Sequence, residues 1–446
     1  MRMKNTVRVT LTLGAVAVLT AGCLSQGGGE GGASGGGEGG GSGGDQAGDG
    51  TVEIMYGFTD SSSDEFQADI QAYADANDIN VSFFPTPDFN SLINTRVAGN
   101  DLPDIAIFPQ PGIMASIARD GQLSDLSDVV ESADLKAMVP GAVDAGQVDG
   151  TQYAFPMSIN VKSIVFYPKP AWEAAGYQAP ETLDDLASLT DQIRTSGTTP
   201  WCFGIESAAA TGWAATDWIE NLVLSQNGAD YYNQWVQHEV PFNDGPVVEA
   251  ANTMSDLLLT DGNVNGGRSS IATNNFATAA NPMFDTPPGC YMYRQGNFVA
   301  RDGGFPDAVL ADLDTQVGVF PMPGESAEDK PVLGGGDLAA MFSGDDPDSQ
   351  QIMQYMASAD FGQDWAQANG FISPRTDFDT SNYPNALTTQ MAEVAYDSTE
   401  FVFDGSDQMP GEVGSGSFWR EMTAWISNSG SAQEALDNIQ ASWPAN

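Results

Sequence analysis

The chain has 446 residues, 41% of them apolar and 10% aromatic, which is enough for about two to four domains with a substantial core. Sixty Asp and Glu against fifteen Lys and Arg leave a formal charge of −45, which repels nucleic acid and excludes a polybasic membrane patch. One histidine, His238, and three cysteines argue against a Cys/His zinc site and leave little scope for imidazole catalysis.

Arg2, Lys4 and Arg8 precede a mainly apolar run over 9–19, and Thr20-Ala21-Gly22 leads to Cys23. The pattern predicts an export signal over 1–22, too short to stay in a bilayer as an anchor. LTAGC at 19–23 resembles the bacterial lipoprotein box, which implies a lipid on Cys23 and a place on the outer face of the cytoplasmic membrane. Leu19 stands one residue further from the cysteine than the usual pattern. From Cys23 to Gly50 fifteen of twenty-eight residues are glycine, so 23–50 reads as a flexible tether with a reach of about 30 Å.

In the body, 51–58 reads as a strand, 64–77 as a helix, 79–84 as a strand, 89–98 as a helix and 104–108 as a strand. This β-α-β-α-β order predicts a parallel sheet, with ligand-facing loops at 59–63 and 109–112. Beyond a turn at Asp149-Gly150, 159–167 reads as a strand, and helices are expected over 183–194, 216–226, 246–259, 349–359 and 432–439. An α/β alternation this long, with no linker after residue 50, predicts an α/β body of two lobes through which the chain passes more than once, leaving a cleft.

The chemical motifs are mostly negative. There is no phosphate loop, no EF-hand spacing, and the nucleophile-elbow spelling at Gly40-Gly41-Ser42-Gly43-Gly44 falls in the tether. No cofactor, no metal and no catalytic residue is expected, and His238 beside Glu239 reads as a surface or structural residue. Sixty acids offer so many carboxylate pairs that a glycosidase pair has no specific signature here. With Cys23 assigned to lipid, Cys202 and Cys290 are expected to form a disulfide rather than two inert thiols, as leftover cysteines of exported proteins usually do.

Three stretches, 204–220, 287–298 and 403–422, combine rings with Asp, Asn, Gln and Arg. Carbohydrate sites need that mixture: rings stack on pyranose C–H faces while the polar groups share the hydroxyls. LPDIAIFPQPG (102–112), FPMSINVKSIVFYP (155–168), PWCFGIES and ATGWAATDWIE (200–220), MFDTPPGC (283–290), LGGGDLAAMF (333–342), GFISP (370–374), FDGSDQMPG (403–411) and SGSFW (415–419) resemble, in order and spacing, the family 1 extracellular solute-binding proteins of ABC importers, and within them the α-glucoside branch.

The resemblance covers about 55–446 and implies a two-lobe periplasmic-binding-protein-like fold with an interlobe cleft and crossing hinge strands near 158–161, 333–337 and 384–388. Lobe one would be 51–158 plus 337–384, and lobe two 159–336 plus 385–446. The implied contacts are Gln110 and Asn160 as hydrogen-bonders, Trp213 and Tyr293 as stacking surfaces, Asp217, Gln295, Asp337, Asp404 and Asp407 for hydroxyls, and Trp419 as a further platform. Gly336, in the GGGD segment, would let backbone approach the ligand. Lys162 and Arg294 read equally as interlobe salt-bridge residues or as contacts.

The implied function is a monomeric lipoprotein that closes on a maltose-, trehalose- or sucrose-like saccharide and delivers it, unaltered, to the transmembrane subunits of a permease. The alternatives are a receptor of the same fold for another polyol or modified sugar, and a secreted carbohydrate-active hydrolase.

Overall fold

The computed structural model describes residues 50–59, 61–301, 303–369, 371–427 and 430–444. The export signal, the Cys23 lipid site and the tether up to residue 49 lie outside the described residues.

β1 (Val52–Tyr56), α1 (Ser61–Ala76), β2 (Val81–Pro85), α2 (Phe89–Gly99) and β3 (Ile105–Phe108) follow the predicted order. β1 pairs in parallel with β2 and with β3, so each connection is a helical crossover. Alternate strand residues leave by opposite faces, and both faces are covered. Ile54, Tyr56, Ile105 and Ile107 pack with Phe66, Ile70 and Ala74 of α1. Met55, Ala106 and Phe108 pack with Phe89 and Ile93 of α2 and with Met114 and Ile117 of α3 (Pro111–Arg119).

Asp149 and Gly150 have φ of 52° and 84° and turn the short hairpin of β4 (Gln147–Val148) and β5 (Thr151–Gln152), as predicted. The run 159–167, expected as one strand, divides into β6 (Ala154–Val161) and β7 (Ile164–Pro168), separated by Lys162 and Ser163. β7 is the middle of an antiparallel three-stranded sheet, between β8 (Tyr293–Gln295) and β9 (Val317–Pro321).

β10 (Pro331–Met341) holds the molecule together, because its two ends have different neighbours. Its first residues, 331–334, run parallel to β11 (Glu400–Phe403), while 338–341 run antiparallel to β3. Along its middle it pairs antiparallel with β6, with Gly334 opposite Val161 and Asp337 opposite Ser158, and the register shifts between Asp337 and Leu338. Two of the three expected crossing segments are therefore hydrogen-bonded to each other. At the third, around 384–388, there is a helix start instead of a strand: Asn385 caps the helix Ala386–Tyr396 by accepting from the Thr388 N–H at 2.8 Å.

The helix Trp213–Val236 is longer than predicted and breaks at Gly228 (φ 77°, ψ 170°), where Glu400 Oε2 accepts the Ala229 N–H at 2.9 Å. With the helix Leu183–Thr195 and its C-terminal neighbours it encloses a core that includes Trp201, Trp218, Trp235 and Phe242. Cys202 and Cys290 are joined in a disulfide, with Cα atoms 5.5 Å apart. Among the described residues no helix is long and apolar enough to cross a membrane.

Candidate functional site

Lys162 follows β6 and is 8% exposed. A buried ammonium needs counter-charge, and Lys162 Nζ donates to Asp404 and, at 3.3 Å, to Asp217. It also lies 5.3 Å from the centre of the Trp213 ring. Trp213, Asp217 and Glu220 share one face of the helix Trp213–Val236, at i, i+4 and i+7. From β8, Arg294 bonds Asn221 Oδ1 through Nε and Nη2 at 3.3 and 3.1 Å, and its Nη1 lies 3.6 Å from Asp217 Oδ2.

Glu220 holds the turn that follows β11. It accepts the Gly405 and Ser406 N–H groups at 2.8 and 3.1 Å and the Tyr232 hydroxyl at 3.2 Å. Asp404 caps the same turn, accepting from Ser406 Oγ at 2.8 Å and from the Asp407 N–H at 3.2 Å. Asp407 Oδ1 in turn accepts from Gln110 Nε2 at 3.2 Å, and Gln110 Oε1 accepts from Asn90 Nδ2 at 2.9 Å. A chain of polar contacts thus runs from α2 and the end of β3 to the Lys162 cluster.

The protonation states follow from burial opposed by charge. Burial pushes Asp217 up to about 7, with Lys162 acting against it. Burial, reinforced by the Asp404 charge, raises Glu220 and Asp407 well above the usual carboxylate range. Burial also acts to raise Asp404, but the Lys162 ammonium overrides it and holds this carboxyl low. The Lys162 ammonium, disfavoured by burial, is kept charged by Asp217, Asp404 and Asp407. One oxygen each of Asp217, Glu220 and Asp404 lies within 4.8 Å of the others, as metal ligands would, but Lys162 and Arg294 already supply the cationic charge there.

Half-buried Trp213 meets Phe276 edge-on at 4.9 Å and Phe298 at 5.9 Å. Gly212, at φ 119°, brings the start of this helix against the Trp419 carbonyl, where a Cβ would collide. Trp419 itself is half-buried, and its indole Nε1 is buried with no hydrogen bond among the described residues. Asn160 is half-buried on β6 opposite Gly335, and Asp337 accepts from Ser158 Oγ at 2.8 Å.

The structure therefore brings Gln110, Trp213, Asp217, Asp404 and Asp407 into one connected set, with Trp419 reached through Gly212. It corrects five expectations. Asp217 and Asp404 are 0% and 2% exposed and are spent on Lys162, Arg294 and the 405–407 turn, so they brace the site rather than meet hydroxyls. Tyr293 is fully buried, its hydroxyl donating to the Phe276 carbonyl, so no ring face is free for stacking. Gln295 is 2% exposed and spends its amide on Gly296 and Tyr293. Gly336, at φ +149°, makes room for the Ser158 carbonyl of β6 rather than for a ligand. Lys162 and Arg294 pair with Asp217 and Asp404, and all four fall within the segments expected to make up lobe two. His238 stacks on Trp443 at 4.1 Å, in a structural role. Glu220, Phe276 and Phe298 were missed, although the i+7 spacing from Trp213 marks Glu220 and the QGNF string contains Phe298.

Comparison with known proteins names the class. The model of the family described as bacterial extracellular solute-binding protein matches residues 59–363. The chain belongs to that family. This solute-binding protein is 35% identical over 396 residues to the osmoprotective compounds-binding protein GgtB of Synechocystis, covering 88% of this chain and 92% of the relative. It is 33% identical to the alpha-glucosides-binding periplasmic protein AglE of Rhizobium meliloti, covering 83% and 82%. Among solved structures it matches the bacterial solute receptor AcbH (TM-score 0.74, 17% identity, 88% and 97% covered) and apo RafE of Streptococcus pneumoniae (TM-score 0.68, 19% identity, 89% and 98% covered). The expected two-lobe α/β fold of this solute-binding protein is thereby established.

Proposed function

We propose that this solute-binding protein is the sugar receptor of an ABC importer, capturing an α-glucoside and delivering it unaltered to a membrane permease. The carrying observation is Trp213, lined by Phe276 and Phe298 and set against the Lys162–Asp217–Asp404 cluster. A ring to stack on, beside half-buried Asp407 and Gln110 that can share hydroxyls, is the chemistry a pyranose requires. The similarity to an α-glucoside-binding protein supports the choice of sugar. In this reading 51–158 with 337–384 and 159–336 with 385–446 are the closing lobes. The sugar stabilises the closed form by touching both, and Gln110 and Asp407 exchange their mutual bond for hydroxyls. A lipid on Cys23 and the 23–50 tether would keep the monomer near its permease, raising the local concentration of the loaded form.

Calorimetry with maltose, trehalose, sucrose and palatinose, followed by chromatography of each mixture, tests this. Binding heat with no product is expected, and a hydrolysis product would overturn it. The similarity to a protein for osmoprotective compounds favours a second reading, a compatible solute carrying a sugar. Silence with all four disaccharides, but heat with a glucosylated polyol, would select it.

A further inference from the structure

Phe276 meets Trp213 edge-on, yet it belongs to neither a strand nor a helix. It sits in a run of turns over 271–280, where a chain left to itself has many placements open to it. Two hydrogen bonds fix its backbone. The Glu206 carbonyl accepts the Phe276 N–H at 3.0 Å, and the Tyr293 hydroxyl of β8 donates to the Phe276 carbonyl. Glu206 also gives its own N–H to the Asn274 carbonyl at 2.9 Å, so that 206 and 275 pair as a single parallel bridge.

The half-buried Glu206 side chain extends this grip to Trp213. Its Oε2 accepts from Asn275 Nδ2 at 2.8 Å, one residue before Phe276, and its Oε1 accepts the Ala208 N–H at 2.8 Å. Ala208 opens the short 3-10 helix Ala208–Ala210, which leads through Thr211 and Gly212 into the helix Trp213–Val236. Its φ of 48° is costly for a residue with a Cβ, and Thr211 Oγ1 helps to hold it by donating to the Ala208 carbonyl at 2.8 Å. One carboxylate therefore joins the loop before Trp213 to the residue before Phe276. The Asn275 amide and the Ala208 N–H hold this carboxyl below the usual carboxylate range, so it stays charged and accepts both.

We propose that Glu206 and Tyr293 are positioning residues for sugar binding, which hold Phe276 as a fixed wall beside the Trp213 platform. The inference rests on the reading of Trp213 as the surface on which the sugar stacks. A wall set in place beforehand spares the complex the cost of ordering a loop when the sugar arrives. Tyr293, whose own ring is buried, serves the site through the Phe276 carbonyl.

The test uses the full chain and whichever solute titrated above gives heat with it. Glu206→Ala and Tyr293→Phe are compared by calorimetry, each alone and combined with Phe276→Ala. Each alone is expected to weaken binding about fivefold with the unfolding midpoint unchanged, and neither should add a loss once the Phe276 ring is gone. Glu206→Gln combined with Asn275→Asp exchanges donor and acceptor while keeping an oxygen for Ala208, and should regain most of the affinity lost in either variant alone. Equal losses with and without the Phe276 ring, or an exchange that restores nothing, would overturn the proposal. Hydrogen exchange read by mass spectrometry needs no solute: faster exchange over 205–212 and 272–279 is expected in Glu206→Ala, and unaltered rates would also overturn it. A wild-type chain silent with every solute would sink the sugar reading, and the binding role with it, whereas the exchange rates show separately whether the clamp itself is at fault.

Discussion

On the β3 side of the candidate site the chain offers one neutral amide, Gln110, and a glycine, Gly112. On the Trp213 side it offers Lys162, Arg294 and four carboxylates, packed with the rings. The charged side is assembled before any solute arrives, since its charges are paired or hydrogen-bonded within it. The neutral side has a single bond to exchange, and its backbone comes so close to the Asp407 and Gln408 carbonyls that a Cβ on Gly112 would lie 3.2 and 3.1 Å from them. In the proposed reading, recognition is thus preassembled on one side, and approach is governed by the other.

Substitutions on each side can break this contrast. Removing the ammonium with Lys162→Met leaves Asp404 without its counter-ion and Asp217 with only Arg294, at 3.6 Å, and urea denaturation is expected to show a loss of about 3–5 kcal/mol. A loss under about 1 kcal/mol would mean that the charged side is not held together by that ion pair. Trp213→Ala should weaken glucoside binding by about 2 kcal/mol, read by calorimetry, with the fold retained. Gly112→Val should weaken the same sugar about tenfold while leaving the unfolding midpoint unchanged, and X-ray scattering should show a more open envelope with sugar present. An unaltered envelope would remove α3 from any part in closure.

The smallest effect is a pH slope confined to the charged side, because neither Gln110 nor Gly112 titrates. Asp217 is raised to about 7 in the folded chain. Its protonated form therefore contributes stability that is complete below its unfolded value, near 4, and is lost as pH rises through about 7. Asp404 is held low, so its contribution runs the other way and is lost only in strong acid. Asp217→Asn should flatten the decline between about pH 4 and 7 in denaturation midpoints. An unchanged profile would place the proton elsewhere.

Much of this was legible beforehand. The 51–108 alternation shows in the switch from period two to helical spacing, and the cysteine pair in there being only two candidates. The division of 159–167 was hidden because Val161 and Ile164 are both strand-forming, and only the buried lysine between them marks the break. The errors at Tyr293 and Gln295 have one cause. Successive residues of a strand face opposite ways, so these two point together into the core while Arg294, between them, faces Asp217. The residue types pointed to a sugar site, but they could not say which face of β8 it would use. Glu220 was passed over because a carboxylate that binds backbone amides of the 405–406 turn has no partner visible in sequence.

β10 carries a consequence for dissection. Since one strand is shared by β11 at its start and β3 at its end, neither half of the molecule corresponds to an uninterrupted stretch of polypeptide. A fragment ending before residue 331 would leave β3 with an open edge, so separately expressed pieces should aggregate alone and regain a native-like spectrum only when mixed.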